Sequence, residues 1–435
     1  MSTPLERWLA LSPKPASLEP GQRWHVFISY RSVNRYWVLE LYDILRQLGY
    51  SVFLDQYVLS AAAPLALSLG EELDASASAV LVWSNVYEDS DWCKEEFNYM
   101  QGREKQKKGF RYVIGKLDQT ELPGFAAQRI FVDFSDRREG PGGIDVLRML
   151  YGLAGDPLPP DAVKLASEVD EELKIARTRI KAARLDGDYD GLTALASSDH
   201  LAWINSPTLG CEVAEALIGL KRIDDALKIV AKLCEAFPKT LRPRQLMGLA
   251  YARGGDWRKA QSVLGELYAA GEIDPETLGI YARTWMDRYN ATQDRRYLLK
   301  SRDCYRQAFE ATPTDYYSGI NAATKSLLLD EKETAQQLAQ RVEKLTGVVP
   351  IAGDYWKTAT VAEVQLLQGN YPAATSLYQA AVISAPEDIG SHESTRNQAV
   401  LILSHLEATP DQRDSVLLPF AHLKAVHQAV GGQSH

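Results

Sequence analysis

The hydrophobic positions follow one pattern in the first third of the chain and another in the rest. Short, fully apolar runs predict strands, and segments with helical spacing between them predict helices at residues 35–49, 65–76 and 92–105. The predicted strands cover residues 25–30, 50–55, 79–83, 110–115 and 129–134. Apolar strands that alternate with amphipathic helices indicate an α/β domain with a parallel sheet and helices on both faces.

The alternation stops near residue 153, which predicts a domain boundary there. Gly155-Asp156-Pro157-Leu158-Pro159-Pro160 is typical of a linker. Residues 1–22 carry prolines and little periodicity, so we expect a loose leader. The predicted organisation is a leader (1–22), an α/β domain (23–153), a linker with a connecting helix (154–195) and a helical domain (196–430).

After residue 161 the strand signals disappear and an internal repeat becomes visible. Ala226 and Ala260 are 34 residues apart, each in a short Ala-containing helical motif, and 34 residues is the tetratricopeptide (TPR) period. Weaker copies place small and aromatic residues at Ser301-Tyr305-Ala308-Pro313, at Ala335 and at Ala374-Tyr378-Ala381-Pro386. The alternative is a generic helical bundle. The repeat favours an all-α, TPR-like solenoid.

Composition and charge exclude several classes of function. The net charge of −9 and a pI of about 5.5 argue against a nucleic-acid binder with a basic face. The four cysteines are far apart and the seven histidines show no ligand spacing, so we expect no disulfide framework and no metal. Neither a signal peptide nor an apolar run long enough to span a bilayer is visible. A cytoplasmic protein without membrane contact is therefore expected.

Two motifs in the first third are candidates for a site. Phe27-Ile28-Ser29-Tyr30-Arg31 follows the first predicted strand, and Trp92-Cys93-x-x-Glu96 begins a predicted helix. Together with Phe53-Leu54-Asp55 and the Pro123-Gly124 segment before the last strand, they resemble the TIR domain over residues 24–150. The resemblance implies a flavodoxin-like α/β fold. It also implies that Glu96 is the catalytic residue of an enzyme that cleaves NAD+.

The chemistry of the motif is consistent with that role. An ionised carboxylate near the ribose can stabilise the oxocarbenium-like transition state. A helix N-terminus, capped by Ser90 or Asp91, favours the charged form of Glu96. Trp92 lies one turn earlier, on the same face, and can stack on a flat ring.

Other predicted substrate contacts follow the first two strands. Tyr30 and Arg31 come after the first strand and Asp55 ends the second, where open α/β sheets bind ligands. Arg31 suits a phosphate. Each residue also has a structural interpretation: Glu96 as a solvated surface acid, Trp92 as core packing and Arg31 as a surface cap or ion-pair partner.

The loop at residues 56–64 departs from the family pattern, because it lacks acidic residues and glycine. In TIR proteins this loop gates the NAD+ pocket and contacts other TIR domains. Its apolar character here is compatible with a surface for self-association.

Residues 200–400 resemble the divergent TPR-like, TRAF-binding region of apoptosis-signalling MAP kinase kinase kinases. The resemblance is carried by Thr314-Asp315-Tyr316-Tyr317, Asp354-Tyr355-Trp356 and Gly369-Asn370-Tyr371. It implies a sensor or assembly platform that binds an unknown protein or small-molecule activator and controls the TIR domain.

The combined resemblance predicts an NAD+ nucleosidase that needs no cofactor, with NAD+ as its substrate. The products would be nicotinamide and ADP-ribose or a cyclic isomer, and self-association of TIR domains would activate the enzyme. In a bacterium such an architecture would suit an antiviral defence effector. The alternatives are a non-enzymatic TIR–TPR signalling adaptor and a secreted effector that disturbs host TIR signalling. The presence of Glu96 favours the enzyme.

Overall fold

The computed structural model describes residues 4–54, 65–87, 91–106, 109–122, 126, 131–136, 140–195, 206–386 and 389–423. The chain divides into two compact units, Met1–Gly254 and Gly255–His435. The first unit begins with an α/β part. Its elements are α1 (Pro4–Leu11), β1 (Trp24–Ser29), a 3₁₀ turn (Ser32–Asn34), α2 (Arg35–Gln47), β2 (Val52–Phe53), α3 (Leu65–Asp74), β3 (Ser76–Trp83), α4 (Asp91–Gln106), β4 (Arg111–Lys116), β5 (Phe131–Asp133) and α5 (Gly143–Ala154).

The strands form one parallel sheet in the order β2-β1-β3-β4-β5. Residues 26–29 of β1 and 79–83 of β3 are buried, because helices cover both faces of the central strands. Phe27 and Phe53 face each other in register and their rings stack 5.1 Å apart. The predicted α/β fold with a parallel sheet is thus confirmed.

The described strands and helices agree with the sequence pattern to within a few residues. Gly49 follows α2 with a φ of +87°, a left-handed conformation that glycine adopts without strain, and it ends this helix as predicted. Strand β2 covers only Val52–Phe53 of the predicted 50–55, and β5 ends at Asp133, one residue before the predicted end; residues 129–130 lie outside the described part. Residues 55–64 and 88–90, which include Asp55, the atypical loop and Ser90, lie outside the described residues.

The expectation of a loose leader is wrong for residues 4–12. Residues 4–11 form helix α1, and its Trp8 side chain is only 2% exposed. The Tyr151 hydroxyl of α5 donates a hydrogen bond to the Leu11 carbonyl oxygen, and the Arg7 guanidinium pairs with Glu168. A single buried tryptophan anchors this helix, and one aromatic residue does not produce a visible periodicity.

The rest of the first unit is helical. It contains α6 (Pro160–Asp186), α7 (Tyr189–Leu195), α8 (Thr208–Gly219), α9 (Ile223–Ala236) and α10 (Leu241–Arg253). Gly155 ends α5 with a φ of +78°, and Pro160 is the first residue of α6, as the linker pattern indicates. Within the described residues, no helix is long and apolar enough to cross a membrane.

Two buried carboxylates of α2 attach the sheet domain to these helices. Asp43 accepts hydrogen bonds from the backbone N–H groups of Lys239 and Thr240 (2.9 and 2.7 Å) and from the Thr240 hydroxyl (2.7 Å) at the start of α10. Glu40 accepts one from the Ser206 hydroxyl (2.8 Å) just before α8. The α/β domain is therefore held by specific polar contacts to the first helices that follow it.

The second unit consists of helices throughout its described residues. They are α11 (Trp257–Ala269), α12 (Pro275–Thr292), α13 (Arg295–Ala311), α14 (Tyr316–Leu328), α15 (Lys332–Thr346), α16 (Tyr355–Leu367), α17 (Tyr371–Ser384), α18 (Ile389–Leu403), α19 (Pro410–Leu417) and a 3₁₀ turn (Leu418–Phe420). Asp or Asn side chains cap most of these helices at their N-termini, for example Asp274 at α12 and Asp315 at α14.

The small residues of the predicted repeats occupy one structural position. Ala226, Ala260, Ala335 and Ala374 are each the fourth residue of their helix, and each is buried. Ser301 takes this place in α13, which begins one turn earlier, and it is 34 residues from Ala335. The longer helices α12 and α13 and the connection before α16 account for the spacings above 34. The predicted helical repeats are confirmed.

Close packing between α14 and its neighbours leads to a prediction for two buried glycines. A Cβ atom at Gly319 would lie 2.6 Å from Val342 and 3.0 Å from Phe309, whereas one at Gly279 would meet only Tyr317, at 3.8 Å. We expect Gly319→Ala to lower the free energy of unfolding by about 1–3 kcal/mol through overpacking. Gly279→Ala is the matched control and should be neutral or stabilising, by up to about 1 kcal/mol. Urea denaturation followed by circular dichroism measures both, and equal effects would contradict the packing argument.

The hydrogen bonds of Asp43 lead to predictions for backbone hydrogen exchange at Lys239 and Thr240 and for the pH dependence of stability. Asp43→Ala removes the acceptor of three hydrogen bonds, so hydrogen exchange at the Lys239 and Thr240 amides should rise by at least about tenfold, equivalent to a loss of about 1–3 kcal/mol. Asp43→Asn keeps one acceptor oxygen and should change exchange less. The exposed Asp136 serves as the control: Asp136→Ala should leave exchange at these amides unchanged.

Burial raises the pKa of Asp43, and the hydrogen bonds from Thr240 and Lys239 only partly offset this effect. Since the native state then binds the proton more tightly than the unfolded state, the contribution of Asp43 to stability is largest below the unfolded pKa of about 4 and declines as the pH rises towards the native value. The Asp43→Asn variant should lack this decline. A rise of stability with pH at this site would contradict the account.

Candidate active site

The strand order reverses between β1 and β3, and this reversal creates a crevice at the carboxyl ends of the two strands. Chain connections from β1 and β3 leave in opposite directions across the sheet, as in other doubly wound folds, which bind ligands at this point. Ser29 ends β1 and Ser84 follows β3, so both serines lie at the crevice. The Asn34 side-chain amide donates a hydrogen bond to the Ser84 hydroxyl (2.7 Å) and joins the two strand ends.

Glu96 reaches this crevice from helix α4. Its side chain is half-buried, and one carboxylate oxygen accepts a hydrogen bond from the Ser29 hydroxyl. The Ser29 hydroxyl oxygen is also 2.8 Å from the hydroxyl oxygen of Tyr87, which is fully buried. Because Ser29 donates its proton to Glu96, Tyr87 is the donor to Ser29. A chain of two hydrogen bonds therefore fixes the orientation of the carboxylate.

Aromatic rings and one buried arginine hold α4 in place. Trp83 stacks on Tyr87 with ring centroids 4.5 Å apart and meets Phe97, the neighbour of Glu96, edge to face at 5.9 Å. Towards the other end of the helix, Arg103 donates hydrogen bonds to the Asp74 and Ser76 carbonyl oxygens and lies over the Phe110 ring. The helix that carries Glu96 is thus fixed on both sides of the site.

The other site residues predicted from the sequence differ in where the structure places them. Tyr30 directly follows β1, and its hydroxyl accepts a hydrogen bond from Arg35 of α2 (3.3 Å). Arg31 is half-buried, and its Nε atom is buried without a hydrogen-bond partner among the described residues. Asp55 and the Trp92 side chain lie outside the described residues, although Trp92 is part of α4. Their roles stay predictions.

Ser29 and Tyr87 were not predicted as site residues. Ser29 belongs to the Phe27–Arg31 motif, in which the larger polar side chains of Tyr30 and Arg31 are the predicted contacts. The available signal was a single small polar residue at the end of a fully buried strand. Tyr87 gave no sequence signal, because nothing in its surroundings distinguishes it from a surface tyrosine in a loop.

This arrangement offers an oriented carboxylate beside buried aromatic surface. Such a group can stabilise a developing positive charge on a bound substrate. No group of three or more His, Cys, Asp or Glu side chains able to hold a metal ion occurs in the part of the chain that the structure describes.

Comparison with known protein families identifies both parts of the chain. The TIR domain model matches residues 26–147, and the model of tetratricopeptide repeats of the sensor type matches residues 222–328. The chain therefore contains a TIR domain followed by a TPR sensor region. Both resemblances seen in the sequence are confirmed at this level, and the described helical repeats extend beyond residue 328.

One curated relative is the mitogen-activated protein kinase kinase kinase nsy-1 of Caenorhabditis elegans. It is 31% identical over 113 residues, which are 24% of this chain and 8% of that kinase. The chain thus spans less than a tenth of the length of this relative. By its name, this relative is a MAP kinase kinase kinase, the kinase class that residues 200–400 resemble in sequence.

Three solved structures are similar to the helical part of the chain only at low TM-scores. The TPR protein TTC0263 of Thermus thermophilus is 18% identical, covers 45% of this chain and 97% of its own, and has a TM-score of 0.36. MamA of Desulfovibrio magneticus is 18% identical over 40% and 94%, at 0.31. The Cut9–Hcn1 complex is 13% identical over 65% and 52%, at 0.37. Because these TM-scores are low, the repeat assignment depends on the family model and on the buried repeat positions.

The Tyr87–Ser29 contact predicts energetic coupling between the two side chains. Ser29→Ala and Tyr87→Phe each remove the hydrogen bond between these two hydroxyls, so a double-mutant cycle should give a coupling energy of about 1 kcal/mol in the free energy of unfolding. Ser78→Ala is the control for Ser29→Ala, since the Ser78 hydroxyl is also in the sheet but bonds to the His25 carbonyl oxygen. Additive effects of Ser29→Ala and Tyr87→Phe would contradict the hydrogen-bond chain.

Proposed function

We propose that this protein is an NAD+ nucleosidase whose catalytic residue is Glu96. The observation that supports this proposal most is the half-buried Glu96 carboxylate, held by the Ser29 hydroxyl at the carboxyl end of β1. This is the ligand-binding edge of a doubly wound sheet, and the domain is of the TIR family. NAD+ is a substrate in this proposal, and no cofactor is required.

The reaction needs one well-placed negative charge. When the bond between ribose C1′ and the nicotinamide nitrogen breaks, its electron pair neutralises the charge of the pyridinium ring, so the leaving group needs no proton. Positive charge then develops on the ribose, and the Glu96 carboxylate would stabilise it. Attack of water on C1′, with loss of a proton, gives ADP-ribose, whereas attack by an adenine nitrogen of the same molecule gives a cyclic isomer.

The predicted substrate contacts are consistent with binding of NAD+ at this site. Arg31 follows the strand that ends at Ser29, and its buried, unpartnered Nε supports a role in binding a phosphate of NAD+. Tyr30, Asp55 and Trp92 remain candidate contacts from their positions in the TIR motifs. Ser29 would act as a positioning residue for Glu96.

Control of the reaction would come from the helical half and from other copies of the chain. The sensor type of the TPR family model supports binding of an activating protein or small molecule by the helical region. TIR–TIR association would then assemble the active form. An enzyme that consumes NAD+ only after a signal would suit an antiviral defence role, and the TIR–sensor architecture is the support for it.

Substitution of Glu96 provides the direct test of catalysis. Nicotinamide release by the full-length protein at high concentration should fall at least about 100-fold in Glu96→Gln, because the charge that stabilises the transition state is lost. Glu95→Gln is the matched control, since Glu95 precedes it on α4 and its side chain is exposed. We expect Glu95→Gln to keep the wild-type rate, measured by chromatography of the nucleotide products.

Two outcomes would overturn the proposal. One is equal loss of activity in Glu95→Gln and Glu96→Gln, which would point to a general effect of helix charge. The other is the absence of nicotinamide release under crowding that forces self-association and with cell extract as a source of activator. The latter outcome would favour the signalling adaptor.

A further inference from the structure

The first turn of α11, the second half of α12 and the first two turns of α13 bring cations and aromatic rings together. The Arg288 guanidinium carbon lies 4.0 Å from the centre of the Tyr297 ring and 4.9 Å from the centre of the Trp257 ring. The Lys300 ammonium lies 4.3 Å from the centre of the Trp285 ring, which stacks on Tyr297. Attraction between the cations and the ring faces holds these side chains in place. We call this cluster the basic aromatic surface; it consists of Trp257, Arg258, Trp285, Arg288, Tyr297 and Lys300.

The three cations of the basic aromatic surface form no ion pair with any residue that the structure describes. Arg258 and Lys300 are exposed, each over the face of a tryptophan ring. Arg288 is half-buried, and among the described residues its guanidinium donates only to the Gln261 side-chain oxygen (3.3 Å). Its Nε atom is buried and has no acceptor there. The surface therefore presents three positive charges that an acid from outside can pair with.

Two acids at the beginnings of α11 and α13 already have partners of their own. Asp256 caps α11 and pairs with Lys259, and Asp294 caps α13 and pairs with Arg296. Hydrogen bonds from Lys259 and Arg296 are the main cause of the lowered pKa of these two carboxyls, and the cations of the basic aromatic surface contribute less. A local excess of positive charge thus remains, in a chain whose net charge is −9.

The composition of the basic aromatic surface fits a protein partner of negative charge. Tryptophan, tyrosine and arginine contribute most of the binding energy at many protein interfaces, because they combine a large contact area with directed hydrogen bonds. Cations and rings can also bind a nucleic acid, but a net charge of −9 makes the chain as a whole repel a phosphate backbone. An acidic segment of a protein is therefore the partner that the charges favour.

The same chain carries a surface of opposite charge at the turn between α6 and α7, which we call the acidic turn (residues 185–190). Asp186, Asp188 and Asp190 are exposed and form no ion pair with any of the residues described. The Leu185 side chain beside them is 87% exposed, which leaves nearly all of its apolar area open to a partner. The acidic turn thus combines three negative charges with an apolar group.

We propose that the basic aromatic surface of one copy of this chain binds the acidic turn of a second copy. Charge complementarity supports this pairing, since three cations meet three carboxylates and the aromatic rings offer apolar area for Leu185. Because neither set of charges is paired in the described part of a single chain, the contact joins different copies. It is separate from contacts between TIR domains and does not require the protein to cleave NAD+.

Sedimentation velocity of the full-length protein over a series of concentrations tests this contact. We expect the wild type to associate at about 50 mM salt and to associate at least about tenfold more weakly at about 500 mM, because salt screens exposed charges. The double variant Arg258→Glu/Lys300→Glu should associate at least about tenfold more weakly than the wild type, since its surface repels the acidic turn. The double variant Asp186→Lys/Asp190→Lys should show the same loss from the other side of the contact.

A mixture of the two double variants separates a specific contact from a general effect of charge. Neither variant can pair with itself, but the first keeps the acidic turn and the second keeps the basic aromatic surface. An equimolar mixture should therefore associate to within about threefold of the wild-type affinity. The control Lys164→Glu/Lys232→Glu changes the net charge as much as the first variant does, at two exposed lysines elsewhere, and should associate as the wild type does.

Four results would overturn the proposal. One is a wild type that stays monomeric up to about 100 μM at low salt, which is weaker than a specific contact requires. The second is equal weakening in the Lys164→Glu/Lys232→Glu control, and the third is a mixture that stays dissociated although circular dichroism shows both variants to be folded. The fourth is that Arg258→Glu/Lys300→Glu loses binding to single-stranded RNA and keeps its self-association, which would assign the surface to a nucleic acid.

Discussion

The reversal of strand order between β1 and β3 determines where this protein can do chemistry. Parallel strands need long connections, and a sheet that is extended from both sides of β1 sends those connections in opposite directions. The result is a crevice at the carboxyl ends of β1 and β3. Ser29, Tyr87 and Glu96 come from a strand, a loop and a helix that meet at this point.

The sequence predicted most of the elements that build this crevice, because central parallel strands are apolar along their whole length. The run that includes Val80 and Leu81 can hardly be anything other than a buried strand, and Trp92-Cys93-x-x-Glu96 follows it within the family spacing. The position of Glu96 was therefore predictable. Its partner was not: a hydrogen bond between residues 67 positions apart depends on the sheet register, which no local pattern contains.

The attachment of the α/β domain to the following helices could not be predicted either, because it also depends on residues that are far apart in the chain. Asp43 and Glu40 occur in a helix whose polar positions look solvated. Both are buried, because the segments around Ser206 and Thr240 bring hydrogen-bond donors to them. Buried carboxylates are tolerated only where such donors are present, so polar contacts rather than apolar ones define this junction.

In the helical half, spacing again predicted the framework but not the chemistry. The 34-residue period identified the positions at which helices approach closely, since only small residues fit there. Polar contacts between helices were not predictable in this way: Glu363 of α16 accepts hydrogen bonds from Thr324 of α14 and Gln398 of α18, and no local pattern contains them.

The central claim is that the crevice places the ribose of NAD+ against Glu96. The most direct measurement is a crystal structure of the Glu96→Gln variant with NAD+, because this substitution should leave the fold intact and slow cleavage. The account predicts ribose C1′ within about 4 Å of the side chain at position 96, close to Ser29, as expected for a near-attack geometry. Nucleotide bound elsewhere on the domain, or with its ribose turned away from the end of β1, would contradict it.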